Sequence, residues 1–322
     1  MIRCFFTALV TALLLTSAPC AVAQDFPARP ITIYVGFAPG GAVDIVARSL
    51  GAQLQAQLGQ PVVIENRPGA NSNLAAVAVV RSKPDGYALM LGANGVTTNM
   101  SLYPNPGYDV EKDLAPVSSL GQIPNVIAAG KGFAGATLQD LVRLAKASPG
   151  TIGYGTPGAG SSPHLTIELF ERIAGVKLQH VPYRGGQPAI MDALGGHLPL
   201  VVVNALEALP QVQAGAIKAL AVTSPARHAL LPDVPTVAEL GYPGFESLTW
   251  WALFAPAGTP RAVIDRLSGE TRKALATREF QERLRSVGGV VTGSTPDELG
   301  AFIAAERAKW TKIIVESKIS AE

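Results

Sequence analysis

Apolar and polar positions follow two alternating periods along the first hundred residues, which predict strands and helices in turn. The strand-like runs are ITIYVGF, PVVIENR and YALMLGAN, and the helical runs are DIVARSLGAQLQAQLG and SNLAAVAVVRSK. In the first helical run the apolar side chains recur with helical spacing at Ile45, Val46, Leu50, Leu54 and Leu58. Strands and helices joined by short loops are typical of parallel sheets, so we predict an α/β fold.

The middle and end of the chain continue this pattern. IPNVIAAG, TIGYG, KLQHVPY, LPLVVVN and SLTWWALFAP read as strands, and LQDLVRLAKA, HLTIELFERIAG and PAIMDALGG read as helices. Thr137 is the predicted cap of the first of these helices, and Thr236 with Glu239 predicts another helix start. Thr295, Pro296 and Glu298 open a long amphipathic helix at the end of the chain.

The N-terminal segment is typical of a secretory signal peptide. It carries Arg3, then an apolar stretch too short for a membrane span, and ends in the small-x-small pattern Ala21-Val22-Ala23. We expect cleavage after Ala23 and export of the mature chain. The two cysteines, Cys4 and Cys20, both lie in this segment, so the mature chain has no disulfide, reactive thiol or thiolate metal site.

Length and charge limit the remaining possibilities. About 300 residues remain after the signal, enough for about two domains. A hydrophobic content of 48% and a charged content of 16% argue against disorder. The net charge of +2, without a stripe of basic residues, indicates no nucleic-acid partner.

The glycine-rich segment GFAPGGAVD, residues 36–44, joins a predicted strand to a predicted helix and contains no lysine. A helix N-terminus exposes unpaired N–H groups and a partial positive charge, so such a loop can bind a small anion through its backbone. Asp44 in the first helical turn suits the helix dipole. The alternative, a tight turn that binds nothing, stays open from this loop alone.

A second loop, GTPGAGSS, residues 155–162, has the same position between strand and helix and adds hydroxyl groups. Two such loops in separate α/β halves predict a hinged cleft with one loop on each side. Asn94, Asn204 and Arg184 each follow a strand and are further candidates for the cleft lining, or ordinary turn residues.

Other chemistries find weaker support. Gly153, Gly155 and Gly158 match the dinucleotide pattern GxGxxG, but the next strand has no acidic residue at its end. A triad of Ser161, His164 and Asp192 would make a hydrolase, yet nothing in the sequence identifies an oxyanion hole. His164 and His180 have no metal partner at suitable spacing. We therefore expect no catalytic residue, cofactor or metal.

Several segments together resemble one known family. FPARPITIYVGFAPGGAVDIVAR, VVIENRPGA, KPDGYALMLG, YGTPGAGSSPHLTIELF, HVPYRGGQPAIMDALGGHL, IKALAVTSPARHALLPDVPTVAELG and WWALFAPAGTP are similar to the tripartite tricarboxylate transporter receptors, the Bug-type periplasmic solute-binding proteins. The resemblance covers nearly all of the mature chain. It departs at Ala42-Val43 and at Asn71-Ser72-Asn73, where many relatives carry hydroxyl residues and glycines respectively.

The resemblance implies an α/β, two-domain Venus-flytrap fold of the second periplasmic-binding type, crossed by IPNVIAAG and SLTWWALFAP. Domain 1 would comprise residues 24–124 and 248–322, and domain 2 residues 125–247. The implied function is capture of a small carboxylate by a periplasmic, monomeric receptor that delivers it to membrane transporter subunits. A sensory receptor of the same fold is the alternative.

By the same resemblance, backbone amides of both glycine loops bind the carboxylate. The candidate ligand-binding residues are Phe37, Ala38, Pro39, Gly40, Gly41, Ala42, Val43, Asp44, Asn94, Thr156, Pro157, Gly158, Gly160, Ser161, Ser162, His164 and Asn204.

Overall fold

The computed structural model describes residues 26–286, 288–316 and 319, so the predicted signal peptide lies outside the described residues. The strands of the described part are β1 (Ile31–Val35), β2 (Val62–Asn66), β3 (Ala88–Ala93), β4 (Leu114–Ala129), β5 (Gly153–Thr156), β6 (Gln179–Pro182), β7 (Leu200–Asn204), β8 (Lys218–Val222), β9 (Leu248–Pro256) and β10 (Val290–Val291).

Helices alternate with most of these strands, as is typical of an α/β fold. They are α1 (Ala42–Leu58), α2 (Asn73–Val80), α3 (Gly95–Leu102), α4 (Val110–Asp113), α5 (Leu138–Ala147), α6 (Ser162–Ala174), α7 (Gly186–Gly195), α8 (Ala205–Gln213), α9 (Arg261–Ala276), α10 (Arg278–Arg285) and α11 (Pro296–Glu316), with a short 3₁₀ turn at Ala70–Ser72.

The sheet has the strand order β2-β1-β3-β9-β4-β7-β5-β6, and β8 and β10 also pair with β4. β1 is parallel to β2 and β3, and β5 is parallel to β6 and β7. We call the part around β1, β2 and β3 the first lobe and the part around β5, β6 and β7 the second lobe. Each lobe therefore has its own set of parallel strands.

The long strand β4 joins the two lobes. Its residues from Leu114 to Pro124 pair with β9, and its residues from Asn125 onward pair with β7 and β8. Proline has no N–H to donate to a strand partner, so Pro124 fits the point where the partners change. This change of strand partners falls within the predicted crossing segment IPNVIAAG. It supports the predicted boundary between residues 124 and 125, although the domain division stays a prediction.

Apolar burial follows the strand and helix periods. In β1, Ile31, Ile33 and Val35 are fully buried and pack in one core cluster with Val46 and Leu50 of α1. β7 is buried along its whole length, as expected for a central strand covered on both faces. A separate cluster under α5 and α6 fills the second lobe.

One predicted helix does not form. Thr236 and Glu239 make the expected reciprocal bonds, with the Glu239 N–H donating to Thr236 Oγ1 at 3.0 Å. The chain there forms turns instead, because the Val237 N–H donates to the Val222 carbonyl beside β8. The turns at Gly241 and Gly244, both with positive φ, then end the segment. The helix prediction at Thr236 was therefore wrong.

The caps predicted elsewhere are present. Thr137 accepts the Asp140 N–H at 3.1 Å at the start of α5, and Thr295 and Glu298 make reciprocal bonds before α11. None of the helices in the described ranges combines the length and the apolar composition needed to cross a bilayer.

Candidate functional site

The carboxyl ends of five parallel strands face one region between the lobes. β1 and β3 supply the first lobe's loops, and β5, β6 and β7 supply those of the second lobe. Each of these strands is followed directly by a helix, so the N-termini of α1, α3, α6, α7 and α8 meet there. Ligands of open α/β sheets bind at this edge of the strands.

A cavity of about 300 Å³ occupies this region. All five residues that precede these helices line it: Gly41, Asn94, Ser161, Gly185 and Asn204. The rest of the lining consists of Phe37, Ala38, Pro39, Ala42, Val43, Asn71, Ala93, Gly95, Pro157, Ser162, Pro163, Arg184, Gly186, Gln187, Pro188, Glu207 and Thr249. The wall is thus apolar for the most part, with a few polar groups, as is typical of small-molecule sites.

A second cavity, of about 610 Å³, adjoins the first. Phe37, Ala38, Asn71, Pro157 and Arg184 line both cavities. The two therefore form one cleft between the lobes.

Most of the predicted site residues lie on this cleft. The residues Phe37, Ala38, Pro39, Gly41, Ala42, Val43, Asn94, Pro157, Ser161, Ser162 and Asn204 line the first cavity, and Gly158 lines the second. Gly40, Asp44, Thr156, Gly160 and His164 line neither. Their predicted contact with a ligand stays a prediction, and their contacts within the chain show another role.

Asp44 supports the first glycine loop from behind. Its buried carboxylate accepts the Gly40 N–H at 2.9 Å, the Arg48 guanidinium at 2.9 Å and the Asn66 side-chain amide at 2.9 Å. Burial raises the pKa of Asp44, but these three hydrogen bonds together lower it below its usual value. Gly40 has φ +82°, a conformation that favours glycine. Asp44 thus fixes the shape of the loop.

His164 supports the second glycine loop in the same way. Its Nδ1 accepts the Gly160 N–H at 3.0 Å, and its Nε2 lies 3.4 Å from Glu168. The ring stacks on His180 with 3.8 Å between centroids, and His180 Nε2 lies 2.7 Å from Thr156 Oγ1. Burial and the neighbouring His164 ring lower the pKa of His180 to about 3. The stack is therefore a rigid support behind the loop.

Asn94 and Asn204 both precede helices that sequence reasoning did not predict. The Asn204 side chain caps α8 by accepting the Glu207 N–H at 3.3 Å. The Asn94 side chain instead bonds to β9, donating to the Leu248 carbonyl at 3.0 Å and accepting the Trp250 N–H at 3.1 Å. The N-terminus of α3 is left without a side-chain cap.

Glu207 is the main residue that sequence reasoning missed. Its side chain belongs to α8 of the second lobe and is 4% exposed, yet it lines the cavity beside Gly41 of the first lobe. Burial raises the pKa of Glu207 to about 7, although hydrogen bonds from the Ala42 N–H and the Asn204 side chain oppose this. The Asn-x-x-Glu spacing of Asn204 and Glu207 after a strand is a capping-box signal that could have revealed it.

Asn71 also lines both cavities, although it is not among the predicted ligand-binding residues. Ala70, Asn71 and Ser72 all have positive φ, of 46°, 48° and 78°, which is uncommon outside glycine. Asn71 is held there by Asn99, which accepts its side-chain amide at 2.8 Å and donates to its carbonyl at 2.8 Å. Backbone strain of this kind clusters at functional sites.

The alternative hydrolase triad of Ser161, His164 and Asp192 does not form. Ser161 Oγ donates to the Gly158 carbonyl at 2.7 Å, His164 Nδ1 bonds to Gly160, and Asp192 accepts the Tyr183 hydroxyl at 2.5 Å. Each of the three groups thus has a separate partner. Within residues 26–286, 288–316 and 319, no group of three or more His, Cys, Asp or Glu side chains is placed to hold a metal ion.

Proteins of similar structure show that the chain has a periplasmic binding-protein fold. Solved structures described as a periplasmic transporter and a periplasmic binding protein match over 92% of the chain, which confirms the predicted two-lobed binding-protein fold. A family model described as "Tripartite tricarboxylate transporter family receptor" matches residues 46–319. The chain belongs to this family, and the resemblance drawn from its sequence motifs is confirmed.

Individual relatives agree with this assignment. Protein BugT of Bordetella pertussis is 37% identical over 297 residues, which is 92% of this chain and 91% of the relative. The structure of R. palustris Rpa4515 with adipate is 34% identical, with a TM-score of 0.88 over 92% of this chain and 99% of that one. MatC of Rhodopseudomonas palustris with bound malate is 31% identical, with a TM-score of 0.84 over 90% and 100%.

Proposed function

We propose that this protein is a periplasmic receptor that captures a small organic carboxylate between its lobes and delivers it to the membrane subunits of a tripartite tricarboxylate-type transporter. One observation carries the proposal: the N-termini of five helices from both lobes meet at one cavity. Aligned N-termini favour an anion through their unpaired N–H groups and their dipoles.

These helix N-termini differ in what already occupies them. The side chain of the preceding residue caps α8, through Asn204, but caps none of α1, α3, α6 and α7. At the start of α1 the Ala42 N–H already donates to Glu207. Among the described residues, the N–H groups of Val43, Ser162 and Gly186 have no hydrogen-bond acceptor. A hydrogen bond to a charged group contributes about 1.5–3 kcal/mol. Two or three such bonds, with the burial of apolar parts of the ligand, support micromolar affinity.

The family and the bound ligands of its members support a carboxylate as the guest. Adipate and malate, which occupy two of the similar structures, are both small dicarboxylates. A cavity of about 300 Å³ with one basic lining residue, Arg184, suits an acid of that size. The proposal includes the predicted signal peptide for export, delivery as a monomer, and closure of the lobes around the acid.

Isothermal titration calorimetry with a panel of acids tests the proposal. The panel consists of adipate, malate, succinate, benzoate and the amino acids related to them. We expect at least one of these acids to bind with micromolar affinity. Gly41→Leu should lower that affinity at least tenfold, because Gly41 has φ −78° and tolerates a side chain, which would then fill the cavity beside Glu207. Gly269→Leu is the matched control, since open space surrounds that helical glycine outside the cavity.

The proposal fails if no acid of the panel binds to the wild-type protein. It also fails if an acid binds and Gly41→Leu leaves its affinity unchanged in a correctly folded protein.

A further inference from the structure

The first turn of α8 packs against the first lobe, although α8 follows β7 of the second lobe. Leu206 is buried in one core cluster with Val43 and Val46 of α1. The next residue, Glu207, is buried as well, and its carboxylate accepts the Ala42 N–H at the start of α1. These two neighbouring side chains therefore attach the start of α8 to the start of α1, across the two lobes.

The Glu207 carboxylate also lies against the start of α7 in its own lobe. A Cβ added at Gly186 would lie 2.2 Å from Oε2 of Glu207, so the carboxylate fills the space that a side chain at position 186 would need. The Asn204 side-chain amide donates to the same oxygen at 3.0 Å. On the side of the first lobe, a Cβ added at Gly41 would lie 3.6 Å from Oε1. The carboxylate is thus enclosed between the starts of α1, α7 and α8.

Two further polar contacts between the lobes provide a comparison. Arg172 of α6 lies 2.6 Å from Glu316 of α11, but both side chains are more than 40% exposed, and exposed ion pairs contribute little. Thr98 Oγ1 of α3 donates to the Gly160 carbonyl at 3.3 Å, which is long for a hydroxyl donor. The contact of Glu207 is buried and involves a carboxylate, and such hydrogen bonds are the stronger ones.

From these contacts we infer that Glu207 is an interlobe latch, a contact that holds the two lobes together before a ligand enters the cleft. The N–H groups and dipoles of the helix starts around its carboxylate supply the positive potential that a basic side chain would otherwise provide. The inference goes beyond the proposed function, because it concerns the protein without a ligand. It shares with that function only the premise that the lobes can part.

The distance between the lobes of the ligand-free protein tests this inference. The chain has no cysteine after residue 23, so Leu74→Cys in α2 and Met191→Cys in α7 provide one spin-label site on each lobe. Both side chains are more than half exposed. Leu74 follows the turn that lines the second cavity, and Met191 lies in the helix whose start lines the first, so opening of the cleft lengthens the distance between them.

Pulsed double electron–electron resonance measures this distance at pH 8, where the Glu207 carboxyl is ionised. Any ligand carried over from expression is first removed by unfolding the protein in guanidinium and refolding it. Glu207→Ala removes the latch and should lengthen the mean distance by more than about 2 Å, as in a hinge opening. Glu246→Ala, which removes an exposed carboxylate of the same lobe, is the matched control and should leave the distance unchanged.

Gly186→Ala tests the same contact from the other side. The added Cβ should displace the Glu207 carboxylate and lengthen the distance, and alanine is not strained there because Gly186 has no positive φ. The double variant should show no larger distance than Glu207→Ala alone, since both changes break one contact. Gly269→Ala, at a helical glycine surrounded by open space, is the control and should change nothing.

An unchanged distance in folded Glu207→Ala would overturn the inference. An effect of Gly186→Ala that persists at full size in the Glu207→Ala background would overturn it too. Thermal melting curves verify that each variant is folded, and Gly186→Ala alone decides if Glu207→Ala does not fold. Because no ligand is present, a failed latch leaves the proposed carboxylate receptor intact, and the calorimetric panel tests that proposal separately.

Discussion

At the scale of single residues, two carboxylates of the chain itself accept backbone N–H groups of the first glycine loop. The sequence predicts that the amides of this loop bind the ligand. The first glycine loop contains no lysine, and the structure shows that it already holds two acids of the same chain: Asp44 at the Gly40 N–H and Glu207 at the Ala42 N–H. Asp44 was predicted from its place in the first helical turn. Glu207 could not be placed, because its contact with Ala42 depends on how the two lobes meet.

Glu207 makes the stability of the protein depend on pH. Its pKa is raised from 4.5 to about 7, so the folded state binds its proton more tightly than the unfolded state. The stability that this contributes is present below pH 4.5 and is lost as the pH rises through 7. Such a shift corresponds to ~3 kcal/mol.

Urea denaturation of the wild type and Glu207→Gln at pH 5 and pH 8 measures this contribution. From pH 5 to pH 8, the free energy of unfolding of the wild type should fall by ~2–3 kcal/mol relative to that of Glu207→Gln. Protonation of His180, whose pKa is lowered to about 3, acts in the opposite direction, but it is common to both proteins and cancels in the comparison. If the free energy of unfolding changes equally with pH in both proteins, the raised pKa of Glu207 is contradicted.

Arg184 tests how much of the binding comes from a basic side chain. Its side chain is exposed, and an exposed ion pair contributes only about 0–1 kcal/mol. We therefore expect Arg184→Gln to weaken the affinity for the best acid of the panel less than tenfold, as measured by calorimetry. A loss of more than a hundredfold, with melting unchanged, would show that the arginine and not the backbone binds the acid.

At the scale of helices and strands, the sequence predicts what local patterns decide. The apolar periods placed β1, α1 and the long C-terminal helix α11 close to where they lie. α3 was missed because its apolar positions are few, and α8 was missed because it follows β7 without a break and contains Pro210. The helix prediction at Thr236 was wrong, since the segment folds back on the preceding strand β8 and its contact with Val222 decides its path.

The short turn Ala70–Ser72 has positive φ values, which residues with a side chain disfavour. Ala70 has φ 46°, and the left-handed conformation costs a residue with a side chain roughly 1–2 kcal/mol. Because Ala70 is exposed, Ala70→Gly removes the strain without loss of packing. We expect a rise of ~0.5–1 kcal/mol in the free energy of unfolding, since the greater freedom of glycine in the unfolded chain offsets part of the gain.

Urea denaturation measures this rise. Ala136→Gly, at an exposed loop position without a positive φ, is the control and should not stabilise the protein. Stabilisation by both changes, or by neither, would contradict the assignment of strain to the 70–72 turn.

At the scale of the whole molecule, one buried asparagine lies where the lobes join. Asn125 follows Pro124 at the point where β4 changes partners. Its side-chain amide donates to Ser162 Oγ at 3.0 Å and to Thr166 Oγ1 at 2.8 Å, and its Oδ1 accepts from Thr249 Oγ1 at 2.9 Å. One side chain thus connects β4, the start of α6 and the start of β9, a network that no local sequence pattern predicts.

Asn125→Ala should lower the free energy of unfolding by ~2–4 kcal/mol, because three buried hydroxyl groups lose a partner. Asn105→Ala changes an exposed asparagine and should cost less than ~0.5 kcal/mol. Chemical denaturation of both variants measures the difference. Similar stability of the two variants would mean that the junction does not depend on Asn125.

The central claim is that backbone amides at helix N-termini from both lobes hold the acid group of the ligand. A crystal structure of the protein with the tightest-binding acid of the panel tests it most directly. The account predicts a carboxylate in the cavity, with its oxygens about 2.7–3.2 Å from backbone nitrogens of both lobes, among them Val43 or Gly95 and Ser162 or Gly186. A carboxylate held by Arg184 alone, or bound outside this cavity, would contradict it.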